Sequence, residues 1–258
     1  MIPAAPATPK FTVERITALT LRTPTLVNFR TTRDAAFRFT PGHYARLGLG
    51  DEGSEVWRPY SIASPAEADY LDFQFTLVPG GDFSERFRQL KVGGAIRVDA
   101  RAFGFLVLDQ LATGGTLWML STGTGLAPFI SILAGDALWQ RHERAVLVHS
   151  VRQGGELMPE VIDAALATRS AEERARFTYI PIATREAVAG AHSARLTELA
   201  KSGELATLGG APLDAEHSRV MLCGNPEMIK EMRAMLKERN MGPSRRGVPG
   251  QLAAEGYW

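Results

Sequence analysis

The sequence predicts a two-domain protein in which an antiparallel β-barrel is followed by an α/β domain with a parallel sheet. Its 258 residues are many for one domain and natural for two. The first hundred residues contain short alternating strands between polar turns, which is typical of a closed antiparallel barrel. After Phe105, strands alternate with helices, as they do in parallel sheets with right-handed crossovers.

The barrel half contains six segments that favour strands and one that favours a short helix. The strands are FTVERITALT, TLVNFRTT, HYARLGL, VWRPYSIAS, LDFQFTLV and AIRVDA. The helix is DFSERFRQL, Asp82 to Leu90. Turn signals such as TPG, SPAEAD and PGG separate these segments. The predicted barrel domain covers 1–110, and its proline-rich first ten residues are expected to form a flexible leader.

The second half, 111–258, alternates strands and helices at the spacing of a nucleotide-binding fold, and the boundary is expected near 108–115. Predicted strands are TLWMLST, AVLVHSV, FTYIPIAT and RVMLCG. Predicted helices are LAPFISILAGDALWQR, LMPEVIDAALA, ARLTELAKSG and PEMIKEMRAMLKERN. The segment from Gly203 to Ser218 is loop-rich and carries no recognisable motif.

Composition excludes several classes of protein. The net charge is +1, so no overall basic field indicates a nucleic-acid or membrane partner. One cysteine, Cys223, allows no internal disulfide, thiolate zinc site or iron–sulfur cluster, and no metal site is expected. A single thiol suits the cytoplasm. The N-terminus does not resemble a secretory signal, and no stretch approaches the apolar length of a membrane span.

A glycine-rich turn between the first strand and helix of the second domain is a candidate phosphate cradle. It consists of Thr122, Gly123, Thr124 and Gly125. Glycines permit a tight turn and close backbone approach, and the next helix would direct its free amides at a bound anion. A glycine-rich turn without a ligand explains the same residues, and the two interpretations have similar weight.

Further polar residues follow the other predicted strands of this domain. Arg152 and Arg185 each come just after a strand, and Arg195 begins the helix after the Arg185 loop. Gly224 ends the strand RVMLCG, and Asn225 and Pro226 follow it. Ligands of open parallel sheets bind outside the carboxyl ends of the strands. Three arginines on one edge favour an anion such as the 2′-phosphate of NADP, although each alone is more often a solvated loop residue.

The barrel half has a polar motif of its own, RPYSIAS. Strand alternation places Arg58 and Tyr60 on one side, and Ser61 adds a hydroxyl. A flat ring, a fixed cation and a hydroxyl together suit a stacked heterocycle that carries a pyrophosphate, although ordinary strand alternation also produces this pattern. A second anion site is predicted at GGDFS, Gly80 to Ser84, where glycines precede the short helix.

Taken in order, RPYS, GGDFS, TGTGLAP, CGNPEM and the terminal YW resemble the bacterial ferredoxin/flavodoxin–NADP reductases of the ferredoxin–NADP reductase family. The resemblance runs from about Phe11 to Trp258 and implies a Greek-key barrel that binds FAD. Proline at position 59, between Arg58 and Tyr60, stiffens the motif without placing the match in doubt. By this resemblance, the predicted FAD contacts are Arg58, Pro59, Tyr60, Ser61, Asp82, Phe83, Ser84 and Trp258.

The resemblance also assigns the nucleotide and catalytic residues. Predicted NADP contacts are Thr122, Gly123, Thr124, Gly125, Arg152, Arg185, Arg195, Gly224, Asn225 and Pro226. Predicted catalytic residues are Ser61, Cys223, Glu255 and Tyr257. Cys223 would lie beside the nicotinamide, although a small buried hydrophobic residue is the simpler interpretation. Tyr257 would cover the flavin face opposite Tyr60 and would have to move for NADPH to react.

The activity implied is electron transfer between NADPH, which donates two electrons, and a one-electron carrier, ferredoxin or flavodoxin, by a cytoplasmic monomer. Such carriers are acidic, so a basic docking surface near the flavin edge is expected at Lys237, Arg239, Arg245 and Arg246. A solvated charge run explains the same residues. The alternative functions are a reductase component that serves an oxygenase or another redox partner, and a non-catalytic NADP(H)-binding regulatory subunit.

Overall fold

The structure, a computed structural model, describes residues 10–51, 53–245 and 247–256. Its strands form one six-stranded sheet and one five-stranded sheet. Within the described ranges, no helix has the length and apolar character needed to cross a membrane.

The first sheet is antiparallel, as predicted, and curls into a half-barrel rather than a fully closed barrel. Its strands are β1 Phe11–Leu21, β2 Leu26–Thr32, β3 Tyr44–Leu49, β4 Val56–Ser61, β5 Tyr70–Thr76 and β6 Ala95–Phe103. The order β4-β3-β6-β1-β2-β5 places sequence-distant strands side by side. The edge strands β4 and β5 approach each other through a bridge between Ile62 and Phe73, so the curl almost closes.

An aromatic core fills this barrel. Inward positions alternate along each strand, and they are occupied mainly by large apolar side chains. Helix α1, Asp82–Phe87, closes one side, because its Phe87 ring packs 4.9 Å from Phe29 and 4.6 Å from Phe75 between ring centroids. Removing one such ring would cost about 3–5 kcal/mol.

The second sheet is parallel. Its strands are β7 Thr116–Thr122, β8 Arg144–Val151, β9 Phe177–Ala183, β10 Ser218–Gly224 and β11 Leu252–Gly256, in the order β11-β10-β7-β8-β9. Strand β11 is absent from the sequence prediction, because LAAEG lacks the β-branched residues that signal a strand. It forms because its backbone pairs with the exposed edge of β10.

Helices cover both faces of the parallel sheet. They are α2 Ala127–Ala134, α3 Asp136–Arg141, α4 Pro159–Leu166, α5 Ala171–Ala175, α6 Leu196–Ser202, α7 Glu204–Gly209 and α8 Pro226–Glu238. The predicted single helix after β7 is divided into α2 and α3, because Gly135 adopts an extended conformation. Helix α7 lies in the segment predicted to be loop-rich, between Gly203 and Gly210, which are both left-handed.

The barrel packs against the face of the parallel sheet that carries α2, α3 and α4. Leu26, Ala63 and Leu106 from the barrel side join one apolar cluster with Phe129 of α2 and Met158. Helices α6, α7 and α8 cover the opposite face. Because alternate strand residues face opposite sides, Met221 and Cys223 point toward the barrel side.

Candidate active site

The carboxyl edge of the parallel sheet collects the residues that the sequence predicted to lie together. Thr122 ends β7, Arg152 follows β8, Arg185 follows β9, and Gly224 ends β10. The backbone N–H of Arg185 donates to the carbonyl of Arg152 at 2.8 Å, which ties two of these strand ends together.

The turn after β7 is tight and open to one side. Gly123 has φ +55°, a left-handed value that favours glycine, and a side chain there would meet nothing within 4 Å. Gly125 is confined, because a side chain on it would collide with the backbone carbonyl of Cys223. A 3-10 turn, Gly123–Leu126, leads directly into α2, so its first amides have no partner earlier in the same turn.

The turn after β10 interlocks with this one. Gly224 has φ +128°, and a side chain on it would collide with Thr122. The Asn225 N–H donates to the Thr122 hydroxyl oxygen at 2.7 Å. The Asn225 side-chain oxygen accepts from the Glu227 N–H at 2.8 Å and caps α8, with Pro226 in its first turn.

The three predicted arginines lie exposed at this edge. Arg152 and Arg185 occupy neighbouring loops, and Arg195 precedes α6, at the end of the loop that returns along β9. Among the described residues, no carboxylate forms an ion pair with any of them. The Gly154 N–H donates to a Glu186 carboxylate oxygen at 2.7 Å and holds the two loops together. Guanidinium groups without a carboxylate partner have the chemistry that binds a phosphate monoester through paired hydrogen bonds.

In the barrel, Tyr60 and Ser61 lie at the end of β4 that faces the gap between the edge strands. The Tyr60 ring packs with its centroid 5.1 Å from those of Phe75 and Phe83, and burial raises its pKa, so the phenol stays neutral. Ser61 is buried, whereas Arg58 and Pro59 are exposed. The Arg58 guanidinium donates only to the neighbouring Trp57 carbonyl, at 2.8 Å, within the described residues.

The side chains predicted at the start of α1 have mixed roles. Asp82 is exposed, while Phe83 is buried against Tyr60. The Ser84 hydroxyl accepts from the Val78 N–H at 2.9 Å. The side chains of Phe83 and Ser84 therefore shape the loop, and only their backbone groups remain for a ligand.

Glu255 connects the two sheets. It pairs in register with Cys223, and its carboxylate lies over Gly104, where a side chain would come within 3.2 Å of Oε2. Tyr44 flanks the same glycine and pairs in register with Ser61. Burial raises the pKa of Glu255 to about 7, partly offset by a hydrogen bond from the backbone of Phe105. These contacts bring Ser61, Cys223 and Glu255 to the junction of the two domains.

A row of side chains crosses the parallel sheet one residue below this edge, and sequence reasoning found Glu255 and Cys223 in it but missed Ser121 and His149. Glu255, Cys223, Ser121 and His149 are consecutive register partners on strands β11, β10, β7 and β8. Ser121 and His149 are fully buried. For His149 a signal was present, since it is a polar residue inside the apolar strand AVLVHSV. For Tyr44 and Gly104 no local signal exists, because their role depends on the packing of the domains.

The expectation that the basic cluster lies near the flavin edge is wrong. Helix α8 begins at the carboxyl edge and runs about 20 Å to the amino edge, so Lys237 lies at the far side of the sheet. The loop before β11 carries exposed Arg245 at the same far edge. Arg239 donates to the carbonyls of Leu213 at 3.1 Å and Ala200 at 3.0 Å, so it serves packing.

Three predicted site residues lie outside the described residues. They are Arg246, Tyr257 and Trp258.

Comparison with known proteins agrees with the two sheets. Residues 11–102 match the oxidoreductase FAD-binding domain family, and residues 119–234 match the oxidoreductase NAD-binding domain family. The chain is 35% identical to a ferredoxin–NADP reductase of Pseudomonas aeruginosa over 94% of this chain and 95% of that protein. This protein belongs to the ferredoxin–NADP reductase family.

A second relative and a solved structure support the assignment. A flavodoxin/ferredoxin–NADP reductase of Escherichia coli is 38% identical over 85% of this chain and 88% of that protein. A ferredoxin NADP+ reductase from Neisseria gonorrhoeae, solved with bound FAD and NADP, superposes with a TM-score of 0.89 at 34% identity. That superposition covers 97% of this chain and all of that one (100%). A flavohemoglobin from Malassezia yamatoensis, 19% identical with a TM-score of 0.75, shares the fold and is longer, since the match covers 61% of it.

Proposed function

We propose that this protein is a flavoenzyme that transfers electrons between NADPH and a one-electron carrier, ferredoxin or flavodoxin, through FAD. The observation that carries the proposal is the junction where Glu255 and Cys223, at the carboxyl edge of the parallel sheet, meet the Tyr44–Ser61 strand pair of the barrel. The motif proposed to bind the flavin and the edge proposed to bind the nucleotide meet there, as a reaction between two bound cofactors requires. The names of the relatives support the same activity.

The barrel residues fit FAD. When bound, FAD supplies the capacity to accept two electrons together and to release them one at a time. The half-buried Tyr60 ring, supported by Phe75 and Phe83, offers a rigid stacking surface. Arg58 is exposed and without a carboxylate partner in the described residues, which suits a pyrophosphate contact. The backbone from Asp82 to Ser84 would complete that contact.

The carboxyl edge fits NADP. The open left-handed turn at Gly123 admits a pyrophosphate close to the backbone. Arg152, Arg185 and Arg195 would neutralise the 2′-phosphate, which NAD lacks. Thr124, Gly125 and the turn Gly224–Pro226 would line the remaining surface.

Two groups at the junction would act during electron transfer. With a pKa near 7, Glu255 is neither fully charged nor fully neutral at physiological pH, so its Oε atoms can hold or release a proton. Cys223 is buried directly beside it and would define the space beneath the nicotinamide. Ser61 would donate a hydrogen bond near the flavin, and Tyr257 would shield the opposite flavin face.

The docking surface remains a proposal. Lys237 and Arg245 are exposed, so they can attract an acidic carrier, but they lie at the edge opposite the junction. A groove of about 440 Å³ on the barrel offers a second surface of mixed charge. Trp57 lies there among three basic and two acidic side chains, which are Lys10, Arg46, Arg101, Glu55 and Asp99. Arg46 is two residues from Tyr44 along β3, so this groove lies closer to the junction. A monomer is proposed for the enzyme in solution.

The proposal is tested with the purified full-length protein. We expect a yellow protein whose colour bleaches when NADPH is added without oxygen, and cytochrome c reduction that increases when ferredoxin or flavodoxin is added. A colourless protein that binds NADP without turnover would instead support the regulatory subunit. A yellow protein that bleaches but passes electrons to neither carrier would support a component for another redox partner.

A further inference from the structure

His149 is a buried polar residue whose function the proposed mechanism does not explain. It lies near the end of β8, is fully buried, and faces the side of the sheet toward α2. Its Nε2 lies 3.0 Å from the carbonyl oxygen of Gly123. A carbonyl only accepts hydrogen bonds, so Nε2 carries the proton and donates. Its Nδ1 is buried and finds no hydrogen-bond partner among the described residues.

Packing alone does not explain a histidine at this position. A buried acceptor without a partner destabilises the folded state. An aliphatic side chain at position 149, like those of Leu147 and Val151 on the same strand, would avoid that destabilisation. Burial also lowers the pKa of His149 to about 4, so the ring stays neutral at physiological pH and takes no part in charge balance. The hydrogen bond to Gly123 is therefore the one property that an aliphatic residue could not supply.

That hydrogen bond fixes the orientation of a peptide plane at the candidate phosphate turn. The carbonyl of Gly123 points inward to His149, and in a trans peptide the next N–H points the opposite way. The next N–H belongs to Thr124, and it is therefore directed away from the sheet interior. Gly123 faces open space and has φ +55°, so without a tether its flexible backbone could rotate this plane.

We infer that His149 is a positioning residue that holds the Gly123 carbonyl inward so that the Thr124 amide faces the pyrophosphate of the bound dinucleotide. The inference rests on the proposed function. His149 itself touches neither ligand nor reacting atoms, and it acts through the turn.

A matched control lies at the opposite edge of the sheet. His142 is also buried, with 4% of its surface exposed; its Nδ1 lies 3.1 Å from the Gly114 carbonyl, and its Nε2 has no partner among the described residues. Gly114 also has a positive φ, +84°. His142 precedes β8 at the amino edge of the sheet, far from the candidate turn. In both histidines one ring nitrogen bonds a glycine carbonyl and the other has no partner among the described residues, and only His149 adjoins the proposed nucleotide site.

The experiment compares His149→Met with His142→Met in the FAD-loaded full-length enzyme. Dissociation constants are measured for NADP+ and for adenosine 2′-monophosphate, which carries the 2′-phosphate but no pyrophosphate. For His149→Met we expect NADP+ to bind about tenfold more weakly, as for loss of one amide hydrogen bond to a charged group, and the monophosphate to bind as before. His142→Met should change neither constant. The KM for NADPH should rise in His149→Met while kcat at saturation is retained.

A rescue pair keeps the inference testable if the methionine variant does not fold. The amide nitrogen of His149→Gln reaches about as far as Nε2, whereas that of His149→Asn is one methylene shorter. The dissociation constant of the Gln variant for NADP+ should lie within about threefold of that of the original protein. The Asn variant should bind NADP+ as weakly as His149→Met, because it lacks the hydrogen bond to Gly123. Equal NADP+ affinity in these two variants, or weaker binding of both ligands after His149→Met, would overturn the inference.

Failure of the proposed function would look different. If the unmodified enzyme binds neither NADP+ nor adenosine 2′-monophosphate, the proposed function is wrong, and the positioning role falls with it. If it binds both ligands and His149→Met changes neither constant, only the positioning role is wrong.

Discussion

The two edges of the parallel sheet contain similar residues but use them differently. Each edge has a buried histidine on a glycine carbonyl, glycines with positive φ, and exposed or half-buried arginines. At the amino edge, the Arg219 guanidinium donates to the carbonyls of Ala112, Thr113, Glu216 and Ser218. At the carboxyl edge, Arg152 and Arg185 have no carboxylate partner among the described residues.

Composition therefore does not distinguish the two edges, whereas the hydrogen bonding of Arg219 on one side and of Arg152 and Arg185 on the other does. Backbone carbonyls accept the hydrogen bonds of Arg219 at the amino edge, so this arginine contributes to stability. The groups of the carboxyl edge remain available to a ligand, on the side of a parallel sheet where ligands are expected.

The largest expected effect comes from removing the unpaired arginines. In Arg152→Ala/Arg185→Ala, kcat/KM for NADPH should fall by roughly 100-fold or more, because two charge-assisted phosphate contacts are lost. The rate with NADH, which has no 2′-phosphate, should change little. Steady-state kinetics with both nucleotides measure the ratio of kcat/KM for NADPH to that for NADH.

Arg219→Ala is the control for this prediction. It should lower the melting temperature and leave the NADPH to NADH ratio unchanged. An equal fall in activity with the two nucleotides in the double variant would show that these arginines do not read the 2′-phosphate.

Glu255→Gln should have the next largest effect. Reduction of bound FAD by NADPH, followed by stopped flow, should slow by about 10- to 100-fold, and a pH dependence centred near 7 should disappear. FAD content should be retained. Unchanged single-turnover reduction would remove Glu255 from the proposed chemistry.

Two glycine substitutions compare the edges directly. Gly125→Ala forces the phosphate turn away from the Cys223 carbonyl, so the KM for NADPH should rise by about tenfold. Gly115→Ala, at the amino edge, meets the His217 carbonyl and has φ +64°. It should cost about 1–3 kcal/mol in the free energy of unfolding without changing that KM. If the two variants raise KM alike, the edges are not functionally distinct.

Stability should depend on pH with opposite signs at the two edges. The folded-state pKa of Glu255 is raised to about 7 from the ordinary 4.5, so between these values the folded protein binds more protons than the unfolded chain. The free energy of unfolding should therefore fall by about 1–2 kcal/mol as pH rises through this range, after allowance for partial exposure. Urea unfolding of Glu255→Gln should lack this fall.

Asp214, at the amino edge, provides the opposite case. The backbone N–H of His217 and the His217 side chain hydrogen-bond to its carboxylate and lower its pKa below the ordinary 3.8. The contribution of Asp214 to the free energy of unfolding is present at neutral pH and is lost as pH falls below about 4. In urea unfolding, Asp214→Asn should therefore alter the pH dependence of the free energy of unfolding only at acid pH.

The smallest effect is expected for partner docking. Charge reversal of Lys237 and Arg245 should leave NADPH-to-ferricyanide activity unchanged and slow carrier reduction by no more than about threefold, because these charges lie at the far edge. Reversal of Arg46 and Arg101 in the barrel groove should have a larger effect that weakens at high salt. If reversal of Lys237 and Arg245 slows carrier reduction more than reversal of Arg46 and Arg101 does, the carrier docks at the amino edge.

Much of the architecture could be predicted from periodicity. Alternating residues indicated all six barrel strands, and four of the five parallel strands followed from apolar runs between helices. Strand β11 could not, because LAAEG forms a strand only by pairing with β10. The sequence motifs also identified residues at both sides of the domain junction.

Other features depend on tertiary structure. The raised pKa of Glu255 requires burial against Gly104, which is distant in sequence. The position of the basic cluster was misjudged because nearness to the chain end was equated with nearness to the flavin, although α8 leads away from that edge.

The interlocked turns after β7 and β10 have a consequence for variation and design. Gly125 lies against Cys223, and Gly224 lies against Thr122, so neither of these two glycines can gain a side chain unless the other turn moves. Although about a hundred positions separate them along the chain, substitutions in the two turns should be strongly non-additive. Attempts to change the nucleotide preference should therefore randomise both turns together. In a library confined to one turn, most variants would clash with the unchanged residues of the other turn.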